Sequence, residues 1–219
     1  MPSSVRKSVQ GGLPSKPSKT SCLPKDWPSK DIVYLRVPCY SKNLAKEAIN
    51  KLIVPKADIA VTEELRKPVG PYSHVRITPI TDKAHPAYSQ FGLFASSPLA
   101  AGSFILEYLG FIHDNTDLDE ASDYDLSLER EFSIGVDAAS MGNEARFIND
   151  YRGVSDGPNA EFRDIFVDLG NGKVEKRMGV FVLGAGKSGK RSKGITKGTE
   201  IVVSYGRGFW SERKSSVEG

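Results

Sequence analysis

Cysteine and histidine are scarce in this chain, with two Cys and three His among 219 residues. Cys22 and Cys39 can form at most one bridge, which excludes a disulfide framework. Two thiols without clustered histidines also do not make a structural zinc site, so no metal is expected. Sparse cysteine fits a reducing compartment. Long apolar runs are lacking too: none approaches the roughly 20 residues of a membrane-spanning helix. The first residues are polar and rich in Ser, Pro and Lys, with no apolar stretch of the kind a secretory leader needs. A nuclear or cytosolic protein without membrane attachment is expected.

A strong charge of one sign is also missing. The chain has 30 Lys+Arg against 27 Asp+Glu, a net of +3. That average conceals a division. Residues 1–30 hold Arg6, Lys7, Lys16, Lys19, Lys25 and Lys30 against Asp26, leaving 24 basic and 26 acidic residues, a net of −2, for the rest. The body is therefore slightly acidic, and a generally basic nucleic-acid surface is not implied. Hydrophobic residues at 39% and charged residues at 26% are ordinary globular values, which excludes a wholly disordered, collagen-like or coiled-coil chain.

What is present is mostly β-texture. Residues 1–30 cannot bury enough apolar surface to offset their ordering entropy and read as a disordered basic tail. Residues 31–73 form a flanking segment, with a strand expected over 31–39 and a helix over 41–53. In that helix Leu44, Ala45, Ala48, Ile49, Leu52 and Ile53 recur at helical spacing before Pro55. A short helical turn is expected over 62–66. From residue 74 on, strand-like runs occupy 74–78, 104–112, 132–137, 161–169, 173–183 and 200–205, with Asn171-Gly172 as a hairpin signal. Residues 113–131 hold eight acids opposed only by Arg130. Lys187, Lys190, Arg191, Lys193 and Lys197 sit among glycines in 184–197, which reads as a long flexible hairpin tip. Gly186-Lys187-Ser188 resembles the end of a phosphate-binding loop. Phe181 stands where that loop needs its first glycine, however, and no helix follows.

Four patterns occur in order. His85-Pro86-Ala87-Tyr88-Ser89-Gln90-Phe91-Gly92-Leu93-Phe94-Ala95 is a turn leading into a strand. Ala101-Gly102-Ser103 leads into a run ending Tyr108-Leu109-Gly110. Arg146-Phe147-Ile148-Asn149-Asp150 is followed closely by Pro158-Asn159. Glu200-Ile201-Val202-Val203-Ser204-Tyr205-Gly206 precedes Phe209-Trp210. Together, over residues 74–211, they resemble a SET domain, the fold of protein-lysine N-methyltransferases, without the Cys-rich modules that flank it in some members. The resemblance implies a mainly β, β-clip-like fold of several small curved sheets. It also implies short helices and a C-terminal pseudoknot; residues 212–219 are expected to be a flexible end.

The resemblance further implies S-adenosyl-L-methionine as cofactor, held by Phe91, Gly92, Leu93, Arg146, Phe147, Asn149, Asp150 and Trp210. Tyr205 matches the catalytic tyrosine and Tyr108 a second catalytic tyrosine of the lysine channel. Phe162, Val203 and Phe209 match channel positions, and Phe162 suits di- or trimethylation. The implied substrate is a basic protein, a histone foremost, drawn in by the acidic 113–131 segment; this favours the nucleus. A monomer is expected. Gln90, Asp150 and Ser204 depart from the usual Gly, His and Asp, so a weakly active or inactive module that binds cofactor or a basic peptide is the alternative. A third reading is weak DNA contact through the basic tail and loop.

Overall fold

The computed structural model describes residues 23–24, 26–28, 31–187, 189 and 193–206. Most of the expected basic tail, part of the 184–197 loop and the expected flexible C-terminus lie outside them. In chain order the elements are β1 (Val33–Tyr34), β2 (Cys39–Tyr40), α1 (Lys46–Leu52), β3 (Ile53–Pro55), β4 (Leu65–Arg66), β5 (Val75–Pro79), β6 (Phe91–Ala95) and β7 (Phe104–Tyr108). They continue with β8 (Phe111–His113), β9 (Asp125–Glu129), β10 (Ile134–Asp137), β11 (Met141–Gly142), β12 (Asn149–Asp150), β13 (Ala160–Asp168), β14 (Lys173–Val182) and β15 (Val202–Val203). The fold is mainly β, built of small sheets, as a SET domain is. β3-β14-β13-β4 with β7 form one sheet, β2-β8-β10-β9 another, and three pairs (β1-β11, β5-β6, β12-β15) complete it.

The differences from expectation have local causes. α1 is shorter than 41–53. At its start, Ser41 Oγ accepts the Asn43 N–H at 2.9 Å and bonds Asp117, so the chain is tied to a distant loop instead of entering a helix. At its end, Ile53 pairs with Glu175 in β3–β14, so sheet pairing overrides helical periodicity. Residues 62–66 form no helical turn. Leu65 and Arg66 make β4, parallel to Phe166 and Val167, and the Arg66 guanidinium lies 4.5 Å from the Phe104 ring and 5.1 Å from the Phe181 ring. The expected strand 104–112 breaks at Gly110, where a Cβ would overlap the Asp137 carbonyl. β7 and β8 thereby join different sheets. The strand expected over 31–39 is likewise two short ones, β1 and β2, in different sheets.

The C-terminal segment is inserted between elements remote in sequence. Ala95 N–H donates to the Thr199 carbonyl (3.0 Å) and Ile201 N–H to the Leu93 carbonyl (2.7 Å), which joins the segment to β6. On its other side β15 runs parallel to β12, with Asn149 opposite Val202 and Asp150 opposite Val203. Asn159 clamps it further: its Nδ2 donates to the Glu200 carbonyl (2.7 Å) and its Oδ1 accepts the Val202 N–H (2.9 Å). Ile201, Val202 and Val203 are buried by this insertion.

A charged cluster lies inside the main sheet. Arg177 on β14 reaches Glu107 Oε2 at 2.7 Å and Glu175 Oε2 at 2.5 Å, and Tyr40 bonds Glu175. Burial opposes the charge on Arg177, but the two carboxylates outweigh it and raise its pKa. Burial pushes the Glu107 carboxyl up, with Arg177 in opposition.

Candidate active site

A cavity of about 320 Å³ opens beside β7, β13 and the segment leading into β9. Tyr108, Ile148, Phe162 and Tyr205 line it together with Arg146, and Leu118, Asp119, Glu120, Asp123 and Asp125 line it from the acidic segment. Tyr108, Phe162 and Tyr205, expected at the channel, thus meet at one site with the carboxylates of 113–131, and Arg146, expected at the cofactor, lines this cavity instead.

Each tyrosine is held at its oxygen. Tyr205 Oη donates to the Ile148 carbonyl at 2.7 Å, and Tyr108 Oη to the Tyr124 carbonyl at 2.6 Å. The Tyr108 ring meets Phe162 edge-on, with centroids 5.8 Å apart. Burial, reinforced by neighbouring Tyr205, pushes the Tyr108 phenol well above its ordinary pKa, so it stays neutral and is no base. Arg146 turns its Nε to the Ala138 carbonyl (2.9 Å) and lies 4.5 Å from the Tyr124 ring centroid, a brace for the cavity wall. His113 supports the wall from behind: its Nε2 is 3.1 Å from Asp125 Oδ1. Burial lowers the His113 pKa, but the Asp114 carbonyl and Asp125 outweigh it and the net shift is upward.

Asp150 stands where the family usually has histidine. Its carboxylate is buried and accepts the Tyr205 N–H (2.8 Å), the Arg152 N–H (2.9 Å) and Arg152 Nη1 (2.8 Å). The residue fixes the backbone of the tyrosine segment instead of offering its side chain to a ligand.

A second face lies across the same short segment. Successive residues of extended chain point to opposite sides. Ile148 lines the cavity, while Asn149 Nδ2 donates to the Phe91 carbonyl (3.2 Å) and to Glu200 Oε1 (2.8 Å). The Phe91 and Phe147 rings meet edge-on at 6.0 Å, and Trp27 meets Phe147 at 5.5 Å. Glu200 also receives His85 Nε2 at 3.0 Å. Glu200, His85, Trp27 and Tyr124 had no role in the sequence reading. His85 and Glu200 belong to the first and last of the four patterns, but only the pairing of β6 with the C-terminal segment brings them together.

Other expected positions are placed differently. Phe91-Gly92 is the start of β6 and not a turn. A Cβ on Gly92 would lie 2.6 Å from Glu200 Oε1 and 2.9 Å from Ile80 Cδ1, so the protein's own side chains fill that space. Leu93 and Val203 are fully buried core residues, and Val203 does not line the cavity. Phe209 and Trp210 lie outside the described residues. Among the described residues no group of three or more His, Cys, Asp or Glu is arranged to hold a metal ion, and no helix is long and apolar enough to cross a membrane.

No curated protein matches the chain. Three similar solved structures are of polycomb repressive complex 2. The Chaetomium thermophilum complex is 24% identical over 61% of this chain and 15% of that chain (TM-score 0.44). ctPRC2 in an autoinhibited conformation bound to S-adenosylmethionine is 25% identical over 68% and 17% (TM-score 0.46). The Chaetomium thermophilum complex bound to GSK126 is 27% identical over 66% and 17% (TM-score 0.44). The chain thus spans only 15% to 17% of these three solved chains. Residues 90–206, more than half of the sequence, match the SET domain. This chain belongs to the SET domain family, whose members are generally protein-lysine methyltransferases.

Proposed function

We propose that this protein transfers methyl groups from S-adenosyl-L-methionine to the side-chain amine of lysine in a basic protein, a histone foremost, with the nucleus as its site of action. The observation that carries this reading is the two-sided segment 148–150. A tyrosine- and phenylalanine-lined cavity lies on one side, and an amide–carboxylate–aromatic face on the other.

The residues of the second face suit the cofactor. Its cationic groups would meet the Glu200 carboxylate and the Phe91 and Phe147 rings, while Asn149 offers an amide for its polar end. Phe91, Phe147, Asn149 and the backbone of Asp150 are assigned to hold it. Bound there, the cofactor would supply an electrophilic methyl group on a sulfonium sulfur. The protein's own part concerns the amine. Free lysine titrates at about 10.4 and must lose its proton to attack. Asp119, Glu120, Asp123 and Asp125 attract the ammonium to the mouth of the cavity. Tyr108, Phe162 and Tyr205 then surround it with little polarity and favour the neutral form by desolvation. Neutral Tyr108 takes no proton, so the proton leaves to water. Tyr205 and Tyr108 orient the amine, and alignment accounts for most of the acceleration. Phe162 carries no hydroxyl to hold a water beside the amine, which suits di- and trimethylation.

The test is transfer of tritium from labelled S-adenosyl-L-methionine to purified histones and to cell-extract proteins, with Tyr205→Phe as control. Labelling that is lost in the variant supports the reading; calorimetric binding of cofactor without labelling of any protein overturns it. A second reading, a binding module with little activity, is favoured by Asn149, whose amide hydrogens are already committed to Phe91 and Glu200. Under that reading cofactor or a basic peptide binds without turnover.

A further inference from the structure

The loop between β5 and β6 carries a histidine that the methyl-transfer reading does not use. The ends of the loop close on each other: Ile80 N–H donates to the Gln90 carbonyl (2.8 Å) and Ser89 N–H to the Ile80 carbonyl (3.1 Å). His85 reaches out of this closed loop to the inserted C-terminal segment. Its Nε2 lies 3.0 Å from Glu200 Oε2, and both side chains are only 9% exposed. Its Nδ1 accepts the Ala87 N–H at 3.0 Å. A ring nitrogen that accepts a backbone N–H holds no proton of its own, so in the neutral ring the proton resides on Nε2 and is donated to the carboxylate. Neighbouring Pro86 seats the loop a second time, since a Cβ on Gly153 would lie 2.7 Å from Pro86 Cγ. The loop is thus docked on both strands of the β12–β15 pair, at Glu200 before β15 and at the turn after β12.

The hydrogen bonds continue beyond Glu200. Its Oε1 accepts Asn149 Nδ2, and the same nitrogen donates to the Phe91 carbonyl. The amino end of the Asn149 side chain is therefore turned inward, and Oδ1 lies outside this chain of bonds.

We infer that His85, as the neutral Nε2–H tautomer, is a positioning residue for the cofactor face: it fixes the Glu200 carboxylate, and through it the orientation of the Asn149 amide. The inference rests on the proposed function, because Asn149 is assigned to the cofactor by that reading. A carboxylate released from His85 can rotate away from Asn149, and the amide then loses the partner that presents its oxygen to a cationic donor. His85 itself touches no reacting atom.

The experiment uses the full chain and three forms: unsubstituted, His85→Gln and His85→Ala. Nitrogen-15 and proton shifts of the His85 ring at pH 7 read the tautomer without any cofactor. A protonated Nε2 with a bare Nδ1 is expected, and a proton on Nδ1 overturns the inference. Titration calorimetry with S-adenosyl-L-methionine reads the face. His85→Ala is expected to weaken binding about tenfold, the low end of what loss of an outer-shell partner costs at metal sites. His85→Gln, whose amide also donates to Glu200, is expected to recover binding to within about threefold. Equal affinity in all three forms overturns the inference. So does a glutamine variant as weak as the alanine variant when thermal midpoints show both equally folded. Should His85→Ala not fold, the glutamine variant and the tautomer measurement still decide. A folded, unsubstituted chain that binds no S-adenosyl-L-methionine overturns the proposed function and the cofactor role of His85 with it. Binding in that chain without an effect of substitution overturns the inference alone.

Discussion

Tyr205 is anchored twice, through its hydroxyl to Ile148 and through its N–H to Asp150. Tyr205→Phe removes only the first anchor and leaves the ring to pack. It is expected to reduce methyl transfer at least about a hundredfold in single-turnover tritium assays, with cofactor affinity unchanged by calorimetry. Stability should fall by about 1 kcal/mol, the usual net worth of one hydrogen bond. His113 makes a different prediction. Its folded pKa lies above its ordinary 6.5, so the folded state binds the proton more tightly than the unfolded chain. The stability from its pairing with Asp125 is complete below about pH 6.5 and is lost as pH rises through the folded value. Urea unfolding from pH 5.5 to 8.5 should show this fall, and His113→Gln should flatten it. Much of this scale was legible in the sequence. Tyr108, Phe162 and Tyr205 stood out by motif, and they meet in the cavity. The purpose of Asp150 was not legible: its carboxylate is explained by Tyr205, a residue far along the chain, and no local pattern announces such a bond.

Among elements, the inserted C-terminal segment depends on Asn159 as much as on its two flanking strands. Asn159→Ala strands the Glu200 carbonyl and the Val202 N–H. It should cost about 1–3 kcal/mol and speed hydrogen exchange at Val202 more than at amides of β14. The ion cluster on β14 is more demanding. Arg177→Met would leave Glu107 and Glu175 buried without a counter-charge, an arrangement that costs about 3–5 kcal/mol when one partner of a buried pair is removed. A shift of the urea midpoint at unchanged slope measures it. Long strands with strong β-propensity, β13 and β14 above all, were readable because their hydrophobic pattern and turn residues agree. Residues 62–66 and the ends of α1 were not, because their state is decided by what they dock against: Phe166 and the Phe104–Phe181 pair for β4, Asp117 and Glu175 for the helix ends.

For the molecule as a whole, the division of charge matters more than its sum. Four carboxylates of the acidic segment line the cavity, so a Lys/Arg-rich substrate should be steered toward it. Replacing Asp119, Glu120 and Asp123 together with Asn, Gln and Asn is expected to lower kcat/KM for a basic peptide about tenfold at low salt. The remaining rate should then vary little between 20 mM and about 300 mM salt, where screening removes the steering in the unsubstituted chain. The segment's abundance of acids was plain in the sequence. Its place beside the substrate site was implied by the resemblance alone, and the pairing of β9 with β10 is what brings it there.

The inserted segment also sets a timetable. Residues 198–205 supply Glu200 to one face and Tyr205 to the other, yet they are the last of the described elements to leave the ribosome. Until they emerge, β6 and β12 present unpaired strand edges, and neither face exists. A nascent chain is therefore catalytically silent and open to edge-to-edge association for most of its synthesis. The pairings of the inserted segment with β6 and β12 close last, and they close both faces at once.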